Sequence, residues 1–143
     1  MNSIKGFQGQ YRFLSNFYPC KVVFEGVVYK SSEAAFQANK FTDSPGFPLS
    51  FPDLDAREAR RQGHAMPARK DWEQEKLNVM YRILREKFKN DTLRKLLTDT
   101  RGVYLEETNY WHDQFWGVCN GKGENHLGRL LMVVRDEIIE GII

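Results

Sequence analysis

The chain has 143 residues, 41% of them hydrophobic, and a formal net charge of +2 at pH 7. This length and apolar content predict one domain with one core, and so small a charge argues against a generic nucleic-acid binder. The two cysteines form no CxxC pair, which favours a reducing compartment. The N-terminus lacks an apolar leader and no apolar run approaches about 18 residues, so we expect a cytoplasmic protein without membrane contact.

The first segment of the chain mixes a strand pattern with an aromatic loop. Residues 4–7 predict a strand, and residues 11–20, YRFLSNFYPC, show neither helical nor strand periodicity, which indicates a structured loop. The aromatic side chains of this loop, Phe17 among them, are typical of buried anchors. Arg12 and Asn16 are the polar members that we expect to face a ligand.

A hairpin signal comes next. Residues 21–24 and 27–29 are β-branched and aromatic runs, and Glu25-Gly26 between them is typical of a two-residue turn. Short strands of this kind among helical patterns predict an α+β domain.

The first helix carries three polar side chains on one face. Ser31 or Ser32 can act as its N-cap, and Glu33, Gln37 and Lys40 then follow at i, i+4 and i+7. The opposite face is alanine. Two interpretations stay open: a solvated polar stripe with an acidic residue near the helix N-terminus, or a carboxylate, an amide and an amine assembled for chemistry.

A proline-rich stretch and a second helix follow. The prolines of residues 42–52 exclude continuous regular structure. Asp53 or Asp55 can then cap a helix through residues 56–62, with Gly63 as the C′ residue that ends it. Basic residues cluster around this helix and could serve one acidic ligand.

The longest helical pattern begins at Asp71. Trp72 lies in its first turn, near the unpaired N–H groups that favour an anion, and is either a hydrophobic end-stop or a surface on which a ligand stacks. The i, i+3, i+4, i+7 spacing of apolar residues predicts that one face of the helix is buried. That face consists of Leu77, Met80, Tyr81, Leu84 and Phe88.

The last third of the chain predicts a helix at 91–97, a strand at 103–106 and a glycine-rich loop with two tryptophans. The GKGEN sequence in this loop resembles a phosphate-cradling turn only weakly. Asn125 is the predicted N-cap of the last helix. The apolar stripe of that helix consists of Leu127, Leu130, Leu131, Val134 and Ile138.

The spacing of histidine and cysteine argues against a metal site. Six residues separate His112 from Cys119, and six separate Cys119 from His126, which matches no zinc-binding pattern. We therefore predict neither a metal nor a cofactor.

Two carboxylates and an amine remain as candidates for chemistry. Glu33 and Asp113 could form the acid and base pair that glycosidic cleavage requires. Lys40 could form a Schiff base with the aldehyde of a ring-opened sugar, if burial lowers its pKa.

Several motifs together resemble one known family. SNF, YKSSEAAFQANKF, RKDW, LEET, DQFWG and GxGxNxLGxLLMxVR occur in this order between Phe7 and Arg135. In combination they resemble the YbiA-like (NADAR) superfamily. The resemblance implies an N-glycosidase, a hydrolase, with a single helix-rich α+β domain and a small β-hairpin or sheet over residues 1–143.

The resemblance also implies which residues act. Glu33 matches the carboxylate of an S-E-x-x-F-Q motif, Asp113 begins a D-x-x-W-G motif, and Lys40 closes the first helix motif. These three are the predicted catalytic residues. The predicted substrate-binding residues are Arg12, Asn16, Phe17, Gln37, Trp72, Trp116, Gly117 and Asn125.

The implied substrate is a small molecule in which ribose is joined through nitrogen to a base. The leading hypothesis is a phosphorylated ribosylamino-pyrimidine intermediate of riboflavin synthesis. The alternatives are ADP-ribose removed from guanine in nucleic acid, and a module that binds ADP-ribose or a nucleotide without turnover. Residues 42–52 depart from the family pattern and could reshape substrate access. A nucleic-acid groove would use Arg57, Arg60, Arg61, Arg69 and Lys70.

Overall fold

The computed structural model describes residues 2–43 and 50–143. The strands found there are β1 (Ser3–Lys5), β2 (Val22–Phe24), β3 (Val27–Tyr29), β4 (Tyr104–Glu106), β5 (Thr108–Asn109) and β6 (Val118–Cys119). The helices are α1 (Ser32–Asn39), α2 (Ala56–His64), α3 (Trp72–Lys87), α4 (Asp91–Thr98) and α5 (His126–Ile139). The predicted helix-rich α+β class is confirmed. None of the helices in these ranges is long and apolar enough to cross a membrane.

The chain divides into two compact units. The first unit holds the described residues up to Ser15 together with Phe88–Ile143, and the second runs from Asn16 to Lys87. The single domain over residues 1–143 stays a prediction.

The hairpin of the second unit forms as predicted. β2 and β3 pair antiparallel, with Phe24 opposite Val27. Glu25 and Gly26 have φ values of 50° and 80°, as the two central residues of a tight hairpin turn require. This turn fixes the register, so Val22, Phe24 and Tyr29 are buried while Val23 and Val28 face solvent.

Helix α1 is the buried centre of the second unit. It packs against α2 and α3, and all eight of its residues are buried. Three alanines let the neighbouring elements approach closely: Ala34, Ala35 and Ala38 have no exposed surface. A short helix buried on every side is held by packing rather than by intrinsic propensity.

Two predictions about the other helices of this unit are wrong in detail. Gly63 does not end α2, because the helix continues through His64 and Ala65 is its C-cap. In α3 the buried face is rotated from the predicted one: Leu77 is 37% exposed, whereas Val79 and Ile83 are buried beside Met80 and Leu84. The first turn of α3 accounts for this, since Trp72 is itself buried there and fixes which side of the helix faces inward.

The first unit combines parallel strand pairs with α4 and α5. β1 pairs with β4, placing Ile4 opposite Leu105, and β5 pairs with β6. Helix α5 packs on β4 and α4. Its buried face includes Arg135, whose Nη1 donates to the carbonyls of Val103 at 2.6 Å and Thr100 at 3.0 Å. These bonds satisfy a guanidinium that burial would otherwise penalise.

The structure differs from the prediction in the loop at residues 11–20 and describes only part of the proline-rich stretch at residues 42–52. Part of the loop predicted at residues 11–20 is regular, because Gly9–Leu14 forms a 3-10 helix with hydrogen bonds from Tyr11 N to Gln8 O and from Ser15 N to Arg12 O. In the proline-rich stretch, Phe51–Asp53 forms a 3-10 turn, and residues 44–49 lie outside the described residues.

A buried lysine makes the stability of the protein depend on pH. Burial lowers the pKa of Lys87 from its ordinary 10.5 to about 8. Between pH 8 and 10.5 the unfolded chain therefore binds more protons, so this residue raises the free energy of unfolding with increasing pH, by on the order of 3 kcal/mol over the window. Denaturant unfolding across this pH range should show that Lys87→Met removes the rise. The exposed-site variant Lys21→Met should retain it, and an unchanged slope in Lys87→Met would contradict the assignment.

Candidate functional site

The N-terminus of α1 is fixed by side chains. Ser31 is the N-cap and accepts a hydrogen bond from Ala34 N at 3.1 Å. Ser32 Oγ donates to Asn16 Oδ1 at 2.9 Å, and Asn16 O accepts from Glu33 N at 3.0 Å. Asn16 is 8% exposed, so this predicted substrate-binding residue holds the start of the helix. Its contact with a ligand stays a prediction.

Glu33 and Gln37 form a buried pair on α1. The amide nitrogen Nε2 of Gln37 donates to Glu33 Oε2 at 2.6 Å. The two residues are only 9% and 3% exposed. The interpretation of this face as a solvated polar stripe is therefore wrong. Carboxylates are rarely buried without a reason, and a positioned carboxylate at hydrogen-bond distance from a donor is a candidate acid or base.

Lys40 ends this polar face at the C-cap of α1. It is half-buried, and burial lowers its pKa. The charge of Glu33 raises the pKa, and the charges of Arg60 and Lys76 lower it further. A lysine whose pKa is lowered offers a larger fraction of neutral amine, which is the form that attacks a carbonyl.

Other basic residues lie near Lys40 at the C-terminal end of α1. The pKa of His64 is lowered by burial and then by the charges of Lys40 and Arg60. The guanidinium of Arg60 lies 5.9 Å from the ring centroid of Phe17, and Arg69 N donates to Lys40 O at 2.7 Å. The positive charge near the C-terminus of α1 makes this end of the polar face suited to an anionic group.

Trp72 is packed rather than open. It is 7% exposed, its ring lies 5.0 Å from that of Phe36, and the guanidinium of Arg69 lies 5.5 Å from it. These contacts favour the end-stop interpretation. Stacking on a ligand stays a prediction.

Two of the basic residues predicted to line a nucleic-acid groove interact with other side chains of this unit. Arg61 forms an ion pair with Glu58 on the same helix. Arg69 Nη1 donates to Thr42 Oγ1 at 2.8 Å, in addition to its contact with Trp72.

The remaining predicted residues belong to the first unit. Arg12 is exposed in the 3-10 helix. Asp113 Oδ1 accepts from the backbone N–H groups of Phe115 at 3.1 Å and Trp116 at 2.9 Å. Asn109 braces the same loop, because its side chain bonds both Asp113 N and Asp113 O. The structure thus places Asp113 in a loop that its own carboxylate helps to shape.

Asn125 is the N-cap residue of α5, as predicted. The residue has φ 54°, in the left-handed region, and makes no capping bond. Its side chain instead accepts from Glu107 N at 2.9 Å and donates to Leu105 O at 2.9 Å. Asparagine is among the few residues that tolerate this backbone, and here its amide ties the strand segment to the helix start.

The turn before α5 is not arranged as a phosphate cradle. Four successive N–H groups donate to loop carbonyls: Glu124 N to Gln114 O, Asn125 N to Gly117 O, His126 N to Phe115 O and Leu127 N to Trp116 O. These bonds satisfy the groups that a bound anion would otherwise use.

Gly117 is required by packing, since a Cβ there would lie 2.1 Å from Glu107 O.

The structure therefore brings together the predicted residues of α1. Glu33, Gln37 and Lys40 share a polar face in the second unit, which also holds Asn16, Phe17 and Trp72. Sequence reasoning assigned Arg60 only to a nucleic-acid groove and missed His64 and Lys76; the basic run around α2 was the available signal for His64. Within the described residues there is no cluster of three or more metal-ligating side chains.

Comparisons with known proteins cover nearly the whole chain. The NADAR domain model matches residues 5–139. An N-glycosidase YbiA of Escherichia coli K12 is 37% identical over 134 residues, 90% of this chain and 82% of that protein. The NMR structure of the E. coli protein YbiA superimposes with a TM-score of 0.84 at 34% identity, covering 99% of this chain and 89% of that one.

A longer relative is also similar. A riboflavin biosynthesis protein of Vibrio vulnificus is 39% identical over 132 residues, which make up 90% of this chain. The chain spans only 36% of the length of that protein.

The Asp113 loop allows its structural and electrostatic contributions to be separated. Asp113→Asn keeps an oxygen that can accept from Phe115 N and Trp116 N, so we expect the free energy of unfolding to change by less than about 0.5 kcal/mol. Asp113→Ala removes the acceptor and should cost about 1–2 kcal/mol. Denaturant unfolding measures both, and an equal loss in the two variants would contradict the role of the oxygen.

Proposed function

The chain belongs to the NADAR domain family, and we propose that the buried polar face of α1 is the catalytic centre of its N-glycosidase activity. The YbiA-like resemblance is confirmed, and N-glycosidase YbiA relatives aligned over 82% of their length place the chain among hydrolases of this type. The observation that carries the site is the buried hydrogen bond between Gln37 and Glu33, next to the half-buried amine of Lys40.

As the substrate we propose a ribosylamino-pyrimidine phosphate of the riboflavin route. The support is the similarity to riboflavin biosynthesis proteins of Vibrio vulnificus and Zea mays, together with the cations near Lys40. A sugar phosphate carries a compact negative charge, and Arg60 and Lys76 both act on Lys40 electrostatically. Positive charge concentrated at one end of the polar face suits a phosphate at the end of a small substrate.

The proposed reaction breaks the bond between the anomeric carbon and the exocyclic nitrogen. The bonding electron pair leaves with the nitrogen, which takes a proton, and water supplies the hydroxyl at the carbon. The products are a free aminopyrimidine and ribose 5-phosphate. Glu33 is proposed to transfer the proton or to orient the ribose hydroxyls. The catalytic role of Asp113 stays a prediction.

Lys40 has two proposed roles. As a cation it neutralises the phosphate. As a neutral amine it adds to the C1 carbon of the ring-opened sugar, the aminopyrimidine leaves with a proton, and water then hydrolyses the Schiff base to release the amine and the sugar aldehyde. The lowered pKa of Lys40 supports the second role.

Glu33→Gln should lower the rate of hydrolysis by about 10²–10⁴-fold, because the amide can neither accept nor donate the transferred proton. The measurement is product analysis by mass spectrometry with the ribosylaminopyrimidine phosphate. Glu58→Gln is the matched control, since it removes an exposed carboxylate of α2 that pairs with Arg61. A loss below tenfold in Glu33→Gln would exclude an acid–base role.

The same assay with an ADP-ribosylated guanine oligonucleotide separates the alternatives. Ribose 5-phosphate released only from the pyrimidine substrate supports the proposal, whereas free ADP-ribose and restored guanine would assign the activity to nucleic acid. If both substrates bind and stay intact, the chain is a binding module.

Asp113→Asn should lower the rate in this assay with unchanged stability if its charge contributes.

The Schiff-base role of Lys40 predicts a pH dependence. Borohydride trapping with ribose 5-phosphate should increase as pH rises through the lowered pKa of Lys40, since only the neutral amine adds. Removing a neighbouring positive charge raises that pKa. Arg60→Ala should therefore shift the trapping curve to higher pH and reduce trapping at pH 7.

The control for this experiment is Arg61→Ala. Arg61 lies on the same helix, but it pairs with Glu58 and does not act on Lys40. Its curve should coincide with that of the unaltered protein. A curve that does not move in Arg60→Ala, or an adduct that never forms, leaves Lys40 with the phosphate role alone.

A further inference from the structure

Gly63 lies in the last turn of α2, where the helical backbone does not require glycine. Helix α2 runs from Ala56 to His64, and glycine at a helical position is less favourable than alanine. The reason for glycine is a close approach, because a Cβ at residue 63 would lie 2.0 Å from Gln37 Oε1 and 2.7 Å from Gln37 Cδ. An alanine here would therefore displace the amide of Gln37.

The side-chain amide of Gln37 carries a second energetic cost. Its Oε1 is buried and has no hydrogen-bond partner among the described residues, so the loss of its hydration is not compensated. Turning the amide over would direct this oxygen at Glu33, where two acceptors would face each other. The present orientation instead directs the donor nitrogen at Glu33 Oε2, at 2.6 Å.

The glycine in α2 and the unpaired oxygen of Gln37 both accompany one contact, the hydrogen bond from Gln37 to Glu33. An alanine at residue 63 would favour the helix, but it would require the Gln37 amide to move and would disturb its bond to Glu33. We infer that Gly63 is a positioning residue: by leaving room for the Gln37 amide, it keeps the amide donor on the Glu33 carboxylate. This inference rests on the proposed role of Glu33.

The test is Gly63→Ala in the full chain. Displacement of the amide should lower kcat by about 10–100-fold, the equivalent of one hydrogen bond to a charged group, with little change in KM. Because an N–H donated to a carboxylate favours its charged form, the limb of the pH profile that Glu33→Gln abolishes should move to higher pH. If helix propensity alone mattered, Gly63→Ala would be more stable and equally active, and the inference would be overturned.

A double-mutant cycle shows whether Gly63 acts through Gln37. Gln37→Ala should lower kcat as Gly63→Ala does, and the double variant should match Gln37→Ala within about twofold. Losses that multiply would overturn the inference. Gln62→Ala is the matched control, since this neighbour in α2 bonds Glu58 and should retain kcat.

The folding of the variants and the titration of Glu33 provide two further tests. If Gly63→Ala alone does not fold, the double variant should fold, because alanine at residue 37 vacates the space; failure of both overturns the inference. Titration of the Glu33 carboxyl by ¹³C NMR requires no turnover. An inactive unaltered protein would refute the proposed function, whereas a titration midpoint equal in the unaltered protein and Gly63→Ala would refute the positioning role.

Discussion

The structure of the second unit depends on keeping one carboxylate buried. Glu33 lies on a helix whose residues are all buried, and a carboxylate in such a place is costly unless hydrogen bonds stabilise it. Gln37 supplies one such bond from the next turn of α1. The small alanines of the helix let α2 and α3 pack closely against it. Such a site strengthens electrostatic interactions with any charge that develops in it.

The placement of this carboxylate is determined from both ends of α1. Asn16 and Ser31 bond the first turn, so the rotation of the helix, and with it the direction of Glu33, is fixed by side-chain contacts that are themselves buried. At the other end, the carbonyl of Lys40 accepts from Arg69 N. The polar face is therefore built on a braced segment, which is the arrangement that a reacting group requires to keep its geometry.

Local sequence patterns were sufficient for the features that depend on neighbouring residues. The Glu25-Gly26 turn, the Ser31 cap and the shared face of Glu33, Gln37 and Lys40 were all predictable, because each follows from spacing or turn chemistry. The close contact at Gly63 and the side-chain bonds of Asn125 were not. Gly63 is glycine because of a side chain on another helix. Asn125 adopts a left-handed backbone conformation, and its side-chain amide bonds a distant strand segment. Such contacts are absent from any local window of sequence.

The electrostatics around Lys40 also bear on how its two proposed roles divide. A phosphate bound beside Lys40 would raise the pKa of the amine, because an anion stabilises the charged form, and a lysine that pairs with phosphate is then a poor nucleophile. Arginine keeps its charge at every relevant pH. Arg60 acts on both Lys40 and His64, so it can carry the phosphate, while burial lowers the pKa of Lys40. The arrangement thus favours division of labour: a permanent cation for the anion, and a titratable amine for the sugar carbon.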